Sequence, residues 1–266
     1  MRTKKETKET ENDLFMEERK IRILELLRAN HTVNVNELSE LFKVSLPTIR
    51  TYLRDMENNG LLIRTHGGAI SHSKTGFELT TRQKEVGMLN EKKRIALSAL
   101  GLIENGDTII LDTGTTTMEL ARLLNRRQNL TVVTNDIGIA RVLEEYPGCT
   151  VVLIGGIVRK GFHCTVGLSG IQMCSQLSVD KAFMAANSFS LAKGLSTPDQ
   201  IHAEIKKAMM KMAGTVILLC DGSKIGKVSF ATFASTDEVN VLVTDAVDKN
   251  VRKELEKRGI EVITAS

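Results

Sequence analysis

Seven short apolar runs, rich in β-branched residues, alternate with helical stretches from residue 91 to the end of the chain. Runs of this kind are typical of strands buried on both faces of a largely parallel sheet, with helices covering those faces. We therefore predict an α/β domain here. The predicted strands are Thr108–Leu111, Thr131–Thr134, Thr150–Ile154, Lys181–Ala185, Thr215–Cys220, Asn240–Thr244 and Glu261–Thr264, and the predicted helices fall at about 91–104, 116–126, 136–145, 200–213 and 248–258.

The N-terminal quarter of the chain carries a different pattern. Apolar residues recur at helical spacing in three short stretches, and a glycine pair then separates two runs that favour strands. Three helices followed by a β-ribbon predict a winged helix-turn-helix. The predicted helices are Phe15–Ala29, a second capped by Asn36 and ending at Phe42, and a third capped by Ser45, with Pro47 in its first turn, that runs to Asn58 and stops at Gly60; the ribbon is Leu61–Arg64, a turn at His66–Gly68 and a return at Ala69–His72.

Composition divides the 266 residues further. Lys, Glu and Thr dominate the first residues, which predicts a flexible tail, and a polar stretch between the two patterned regions predicts a linker. The predicted organisation is a tail at 1–13, the winged helix-turn-helix at 14–72, a linker at 73–90, and an α/β domain for effector binding and oligomerisation at 91–266.

The third helix is the element that a helix-turn-helix lays in the major groove of DNA, with its N-terminal residues nearest the bases. Arginine pairs bidentately with guanine, whereas Ser, Thr and Tyr side chains suit phosphates. Double-stranded DNA is therefore the predicted partner of this segment. The candidate DNA-binding residues are Ser45, Thr48, Ile49, Arg50, Tyr52 and Arg54 on the third helix, and Arg64 and His66 on the ribbon.

Charge supports this interpretation only locally. The whole chain has a net charge of +4, which permits nucleic acid but does not argue for it. Residues 43–74, however, contain five basic residues against Asp55 and Glu57, so basicity is concentrated on the third helix and the ribbon. A dimer would double this modest footprint. A winged helix used for protein contacts is the alternative at this point.

The motifs VNVNELSELFKVSLPTIR and LLIRTHGGA, at residues 33–50 and 61–69, resemble the DeoR family of bacterial transcription regulators. That family carries a VS-x-x-TIRRDL recognition helix and an R-x-HGGA wing. The resemblance covers nearly all of the chain beyond the tail. One departure is the sequence TIRTYLRDM, in which Thr51 and Tyr52 stand where the family usually has Arg and Asp. Operator sequence or phosphate contacts are therefore expected to differ.

In the α/β domain the most informative loop is Asp112-Thr-Gly-Thr-Thr-Thr117, which follows a predicted strand and precedes a helix. Such a loop presents backbone N–H groups, hydroxyls and a helix N-terminus to an anion, and phosphate is the natural ligand. It is neither a Walker loop nor a GxGxxG fingerprint. A tight turn with a threonine-rich cap is the alternative.

Three other segments at predicted strand ends belong to the same crevice, because ligands of open α/β sheets bind beyond the carboxyl ends of the strands. They are Thr134–Asp136, Gly155-Gly156 and Asp221–Lys224. Lys224 suits a phosphate and Asn135 a sugar hydroxyl. Each segment alone is weak evidence, because the asparagine or Asp136 can cap a helix and a glycine pair can simply turn the chain.

These four segments resemble the DeoR-family effector domain, with its D-[ST]-GTTT loop, TN segment, GG turn and D-x-SK loop. The resemblance implies a fold similar to ribose-5-phosphate isomerase and CoA-transferase proteins, and a phosphorylated sugar or related metabolite as effector. His202 stands where many relatives have Glu. The residues nominated for effector binding are Asp112, Gly114, Thr115, Thr116, Thr117, Thr134, Asn135, Gly155, Gly156 and Lys224, together with Asn187 from the block Asp180–Ser188.

A sugar-phosphate isomerase with an accessory DNA-binding module is the alternative function. Aldose–ketose isomerisation needs a general base, usually a carboxylate, beside the sugar carbon. The loop after Lys181–Ala185, where the isomerases place acids, reads Ala-Asn-Ser-Phe, and Asp199 is the only acid between Asp180 and Glu204. This composition favours binding without turnover. A nicotinamide enzyme would need a glycine fingerprint that the sequence lacks.

The sequence therefore predicts a sugar-responsive transcription regulator, a repressor that binds operator DNA as a dimer or tetramer and has no catalytic activity. No zinc-ligand spacing appears among the four cysteines and five histidines, so neither a metal nor a cofactor is expected. The cysteines are expected to be reduced thiols. No signal peptide or long apolar run is present, which predicts a cytoplasmic protein with no membrane partner.

Overall fold

The computed structural model describes residues 16–27, 30, 32–59, 61–71 and 78–266. Contacts divide the chain into two units with a boundary between Gly87 and Met88, and each unit is treated separately below. Several predicted features lie outside the described residues, namely the tail at 1–13, the helix ends Phe15 and Ala29, the stop at Gly60, the ribbon end His72 and the start of the linker at 73–77.

The first unit is a helical module with a small antiparallel sheet of order β1–β3–β2. The winged helix-turn-helix predicted here is confirmed, with one strand more than expected. Its elements are helix α1 (16–27), strand β1 (Thr32–Asn34), helices α2 (Val35–Phe42) and α3 (Leu46–Asn58), strands β2 (Leu62–Thr65) and β3 (Gly68–Ser71), and helix α4 (Thr81–Val86).

The unpredicted strand β1 also moves the cap of α2. Asn34 is extended and its side-chain oxygen accepts the backbone N–H of Asn36 at 2.8 Å, so the prediction that Asn36 caps this helix is wrong. The three-residue strand contains no apolar run from which it could have been predicted. Its pairing with β3 needs a glycine, because a Cβ on Gly68 would lie 1.8 Å from the carbonyl oxygen of Val33.

A single apolar cluster holds this unit together. Helix α3 contributes Ile49, Leu53 and Met56, which pack with residues of α1, α2 and the wing. Leu79 belongs to the same cluster although it falls in the predicted linker, and helix α4 follows directly after it. Part of that predicted linker is therefore a helix, and Leu79 before it is packed in the apolar cluster of the first unit.

The second unit is built on a seven-stranded parallel sheet of order β15–β14–β12–β9–β4–β5–β6. All seven predicted strands lie in it, so the predicted α/β fold with a largely parallel sheet is confirmed. The sheet strands are β4 (Thr108–Leu111), β5 (Leu130–Thr134), β6 (Cys149–Leu153), β9 (Val179–Ala185), β12 (Ala213–Leu219), β14 (Val241–Thr244) and β15 (Glu261–Thr264).

Helices cover both faces of this sheet, as alternation along the strands requires. On β4, Ile109 belongs to the apolar cluster of one face and Ile110 to that of the other. Helices α5, α6 and α7 pack on the first face, and α8, α9 and α10 on the second. The helices are α5 (Leu89–Leu100), α6 (Thr115–Ala121), α7 (Ile137–Leu143), α8 (Leu168–Cys174), α9 (Gln200–Lys211) and α10 (Lys249–Lys257).

Helix α8 and two small antiparallel elements were not predicted. Their strands are three or four residues long and several are rich in serine and threonine, so they lack the apolar runs that identify the central strands. They are the hairpin β7 (Ile157–Arg159) with β8 (Cys164–Val166), and the sheet formed by β10 (Ser188–Ser190), β11 (Gly194–Thr197) and β13 (Ala231–Ala234).

Two further findings bear on the sequence predictions. None of the helices in the described ranges is long and apolar enough to cross a membrane. The four cysteines are free thiols, and burial raises the pKa of Cys220 to about 12. A buried thiol with such a pKa is an inert packing group.

Candidate DNA-binding face and effector crevice

The start of helix α3 is fixed by Ser45. Its hydroxyl accepts the backbone N–H of Thr48 at 3.3 Å and lies 2.8 Å from the Thr48 hydroxyl. This is the predicted cap, and it is confirmed. Pro47 costs no hydrogen bond in this first turn, because the N–H groups there have no helical partner. The hydroxyl groups of Ser45 and Thr48, both candidates for DNA contact, therefore also form the hydrogen bonds that fix the start of this helix.

Two of the candidate DNA-binding residues on α3 face the core. Ile49 is completely buried and Tyr52 is 6% exposed, and both belong to the apolar cluster of the first unit. Their proposed DNA contacts are therefore corrected, because neither side chain lies on the outer surface of the helix. The Tyr52 hydroxyl accepts a hydrogen bond from the Arg19 guanidinium at 3.2 Å, so it also joins α3 to α1.

The outward face of α3 is formed by residues on the side opposite the core. Arg50 and Arg54 are exposed and lie one helical turn apart, which places them on the same face. Neither forms an ion pair or side-chain hydrogen bond within the described part of the chain. Pro47 and Thr51 share this surface, and neither was among the candidate DNA-binding residues.

The wing brings a third arginine near α3. The Arg64 backbone N–H donates to Glu57 at 2.9 Å, and its guanidinium lies 3.7 Å from the same carboxylate. His66 is exposed in the turn between β2 and β3. The charge of Arg64 is thus partly compensated by Glu57, whereas Arg50 and Arg54 have no carboxylate partner among the described residues and are available to a phosphate or a base.

In the second unit the strand order reverses between β4 and β9. Strands β4, β5 and β6 succeed one another toward one edge, and β9, β12, β14 and β15 toward the other. Ligands of open α/β sheets bind outside the carboxyl ends of strands at such a reversal. Asp112 follows β4 directly, and Ala186 and Asn187 follow β9. The threonine-rich loop therefore starts where a ligand is expected.

A buried ion pair joins the two strands at this reversal. The Lys206 ammonium of α9 contacts Asp112 Oδ2 and donates to the Ala185 carbonyl at 3.1 Å. The same carboxylate oxygen accepts the Ala185 N–H at 2.9 Å. The other oxygen, Oδ1, is buried with no hydrogen-bond partner among the described residues. Such an orphan acceptor calls for a donor supplied by a ligand or by water.

Sequence reasoning missed Lys206. It is one of three lysines in α9, and only its spacing distinguishes it, because it lies on the same face as the apolar Met209 and Met210. His202, which stands where many relatives have Glu, is buried on that face as well, one turn earlier. Helical periodicity therefore could have identified this lysine as a buried group in need of a carboxylate.

The threonine-rich loop is buried rather than exposed. Thr115, Thr116 and Thr117 are each at most 9% exposed at the start of α6, and the Thr117 hydroxyl donates to the Gly114 carbonyl at 2.9 Å. A Cβ on the glycine would lie 3.0 Å from Ala185 Cβ, so a glycine lets the loop approach β9 closely. The loop therefore packs across the strand reversal.

The segment after β5 is equally buried. Asn135 donates to the Thr165 carbonyl at 3.0 Å, and its side-chain oxygen has no partner among the described residues. Asp136, rather than the asparagine, caps α7, and it accepts the Thr113 hydroxyl at 2.6 Å. Burial raises the pKa of Asp136, although that hydroxyl and two backbone N–H groups offset part of the rise. Thr134 accepts the aspartate's N–H at 3.0 Å.

The glycine pair after β6 divides into two roles. Gly156 has a φ of +149° and a Cβ there would lie 2.5 Å from the Val166 carbonyl oxygen, so packing against hairpin β7–β8 explains it. Gly155 is exposed, and a Cβ built on it meets no atom within 4 Å. Packing within the chain does not account for Gly155, which makes it the better nominee for close approach to a ligand.

The last two residues nominated for effector binding, Lys224 and Asn187, contact other side chains of the second unit. Lys224 lies 3.4 Å from Asp221 Oδ2, and the Asn187 side chain accepts the Thr197 hydroxyl at 3.0 Å. Burial acts to raise the pKa of Asp221, but Lys224 and the Ser223 hydroxyl outweigh it, so the pKa lies below its usual value. Lys224 thus has a carboxylate partner within the chain.

The loop after β9 contains no acid, as the sequence shows, and the structure accounts for the nearest one. Asp199 caps α9 by accepting the His202 N–H at 2.7 Å, and it lies 3.6 Å from Arg159. It is therefore a structural group. In the described residues, no cluster of three or more His, Cys, Asp and Glu could hold a metal ion.

Comparison with protein-family models gives two matches. Residues 19–75 match the DeoR-like helix-turn-helix domain, and residues 88–246 match the DeoR C terminal sensor domain. The second match alone covers more than half of the chain.

Curated relatives agree along almost the whole length. The HTH-type transcriptional regulator GlpR of Haloferax volcanii is 36% identical over 92% of this chain and 96% of its own. The HTH-type transcriptional regulator GolR of Listeria innocua is 31% identical over 94% and 98%, and the transcriptional repressor AccR of Agrobacterium fabrum 33% over 88% and 92%. These names support regulation of transcription rather than isomerisation.

One solved structure similar in part is ribose 5-phosphate isomerase A of Methanocaldococcus jannaschii. It is 19% identical, has a TM-score of 0.40 and covers 52% of this chain and 55% of its own. A likeness of that degree is too remote to bear on activity.

Proposed function

Because this chain belongs to the DeoR family of transcription regulators, we propose that it represses a sugar-metabolism operon and is released from its operator by a phosphorylated sugar. The observation that supports this most is that one chain carries both a threonine-rich loop packed over a strand reversal and two arginines on α3 that have no partner among the described residues. Both partners, the operator and the metabolite, would meet the protein in the cytoplasm.

The proposed DNA contacts are made by the exposed residues of α3 and the wing, with Arg50 as the principal base reader. Replacing Arg50 with Ala is expected to abolish operator binding while leaving the fold and effector affinity intact. Arg126→Ala, at an exposed position of the second unit, is the matched control. Fluorescence anisotropy with a duplex selected by the wild-type protein measures the DNA affinity of both variants. Unaltered binding by the Arg50 variant would mean that the recognition face is wrong.

The proposed effector site is the crevice beyond the carboxyl ends of β4, β5 and β9. Asp112 and Asn135 each have a buried acceptor with no partner in the described part of the chain, which suits a sugar hydroxyl, and the N-terminus of α6 suits a phosphate. We expect a sugar phosphate to raise the Tm of the protein, and the same sugar without phosphate to raise it far less. Thr116→Val should weaken that response, whereas Thr150→Val, on exposed β6, should not.

Release from the operator requires linkage between the two sites. The effector must bind the DNA-free protein more tightly than the DNA-bound protein, by the same factor by which it weakens operator binding. Titrating the operator complex with a panel of sugar phosphates measures that factor. A compound that raises the Tm but leaves operator affinity unchanged would bind without acting as the inducer.

We further propose that the protein binds its operator as a homodimer or a tetramer of such dimers. One winged helix offers few phosphate contacts, and a second copy doubles them. Hairpin β7–β8 and the start of α8 expose Ile157 (74%), Val158 (52%) and Leu168 (69%), an apolar surface suited to a second copy. Sedimentation of Ile157→Asp should show dissociation, whereas Leu97→Asp, at an exposed position of α5, should not.

Isomerase activity is the alternative function for the second unit. The loop after β9 supplies no acid, Asp199 has a structural use, and the Asp112 carboxylate at that strand end is held by Lys206 and the Ala185 N–H. Purified protein is therefore expected to bind sugar phosphates without interconverting them. Robust isomerisation of any pentose or hexose phosphate would overturn this expectation.

A further inference from the structure

The outward face of α3 carries a small apolar surface beside its two arginines. Thr51 and Pro47 are both exposed, one turn apart, on the side of the helix opposite the buried Ile49 and Leu53. Arg50 precedes Thr51 in the chain, and Arg54 lies one turn after it. A helix placed in the major groove would therefore bring this surface against base edges together with the two guanidinium groups.

The polar part of Thr51 is already used within the helix. Its Oγ1 donates a hydrogen bond to the Pro47 carbonyl at 3.0 Å, the back-bond to the preceding turn that threonine makes in helices. A hydroxyl has a single proton, so Thr51 has none left to donate to a base or a phosphate, and its oxygen can only accept a further hydrogen bond. The methyl group is the part of the side chain that offers an apolar contact.

We propose that Thr51 is a specificity-determining residue that reads the 5-methyl group of a thymine in each operator half-site. The thymine methyl projects into the major groove and is contacted by apolar groups, including the threonine methyl. The flanking arginines suit guanine at neighbouring positions. This inference rests on the proposed placement of α3 in the major groove, and it adds one base identity that arginine contacts cannot supply.

The first experiment selects binding sites from a randomised duplex library with the full-length protein and three variants. Thr51→Val keeps the branched shape and the methyl group but removes the hydroxyl, so it should select the wild-type motif. Thr51→Ser keeps the hydroxyl and loses the methyl, so it should lose the preference for thymine at one position of each half-site. Thr51→Arg should favour guanine at that position.

The second experiment replaces that thymine by deoxyuridine in the selected duplex, which removes only the methyl group. Burial of one methyl group predicts a loss of about threefold to fourfold in wild-type affinity per half-site. Thr51→Ser should bind the two duplexes equally well, and Thr51→Val should respond like the wild type. Phosphate contacts are unaffected by this change, so the salt dependence of binding should stay constant.

The outcomes separate this inference from the proposed function. A motif that is enriched by the wild type and lost in Arg50→Ala, but is unchanged in Thr51→Ser and insensitive to deoxyuridine, would overturn the role of Thr51 alone. A Thr51→Val variant that selects a different motif would also overturn it, because the hydroxyl would then be the reading group. Failure to enrich any motif would overturn the recognition face as a whole.

Discussion

The two units use polar side chains in opposite ways. On α3, Arg50 and Arg54 are exposed and unpaired within the described residues, so these proposed DNA-reading groups are held in position only by the helix that carries them. At the strand reversal of the second unit, Asp112 and Lys206 are buried and satisfied mainly by each other. A polyanion can be met by solvated charges, whereas a small ligand needs groups that are fixed before it arrives.

This difference predicts where substitutions affect stability and where they affect binding alone. Exposed charges contribute little to folding, so their loss changes mainly the DNA affinity. Buried polar groups are part of the fold, so their loss changes stability together with ligand affinity. The following predictions test this contrast, in order of decreasing effect.

The largest expected effect comes from breaking the buried ion pair. Lys206→Met leaves the Asp112 carboxylate buried without its cation, which typically costs about 3–5 kcal/mol in the free energy of unfolding. Chemical denaturation followed by circular dichroism measures it. Combining Lys206→Met with Asp112→Asn should recover part of the loss, because no uncompensated charge remains. Equal destabilisation of the single and double variants would contradict the pair's electrostatic role.

A smaller loss is expected in the first unit from Gly68→Ala. The added methyl group would meet the Val33 carbonyl oxygen at 1.8 Å, so strands β1 and β3 must separate, at a cost of about 1–3 kcal/mol. Gly67→Ala is the matched control, because a Cβ there meets no atom within 4 Å. Thermal unfolding of the two variants should differ, and operator binding should weaken only in the first.

The N-terminus of α3 offers a milder test. Ser45→Ala removes the cap and is expected to cost about 1 kcal/mol of stability. Ser45→Asp restores a capping oxygen, so its Tm should stay near that of the wild type, yet its negative charge on the DNA-facing side should weaken operator binding. If both variants bind DNA equally well, Ser45 does not lie near the phosphates.

The smallest effects are expected in the pH dependence of stability. The folded-state pKa of Asp136 is raised by burial, so its contribution to stability falls as the pH rises from about 3.8 through that raised value. The lowered pKa of Asp221 acts oppositely, since stability is present above about 3.8 and is lost as the pH falls through the folded-state value. Tm profiles of Asp136→Asn and Asp221→Asn should therefore change slope in opposite senses in the acid range.

The central elements of both units could be predicted because their signals are local. Each strand of the parallel sheet is a continuous apolar run, and Ser45 with Pro47 is a complete helix start within three residues. The strands that escaped prediction, β1 among them, are three or four residues long. They form because a partner strand lies beside them, and that information is not in their own composition.

The site residues show the same difference between local and non-local signals. The loop at 112–117 was identified from its own sequence, whereas Lys206 is 94 residues away from the aspartate it contacts. Ile49 and Tyr52 were misassigned because a recognition helix has a core face as well as a DNA face, and residues three or four apart share a face. Applying helical periodicity to α3 and α9 would have corrected both errors.

The hydrogen bond from the Ala185 N–H to Asp112 joins groups separated by 73 residues of chain. The proposed ligand crevice therefore cannot exist until β9 has been synthesised and has paired with β4, a late and non-local event in folding. The first unit needs only its own contacts and leaves the ribosome earlier. Under the proposed function, a newly made chain therefore completes its DNA-binding module before its effector site.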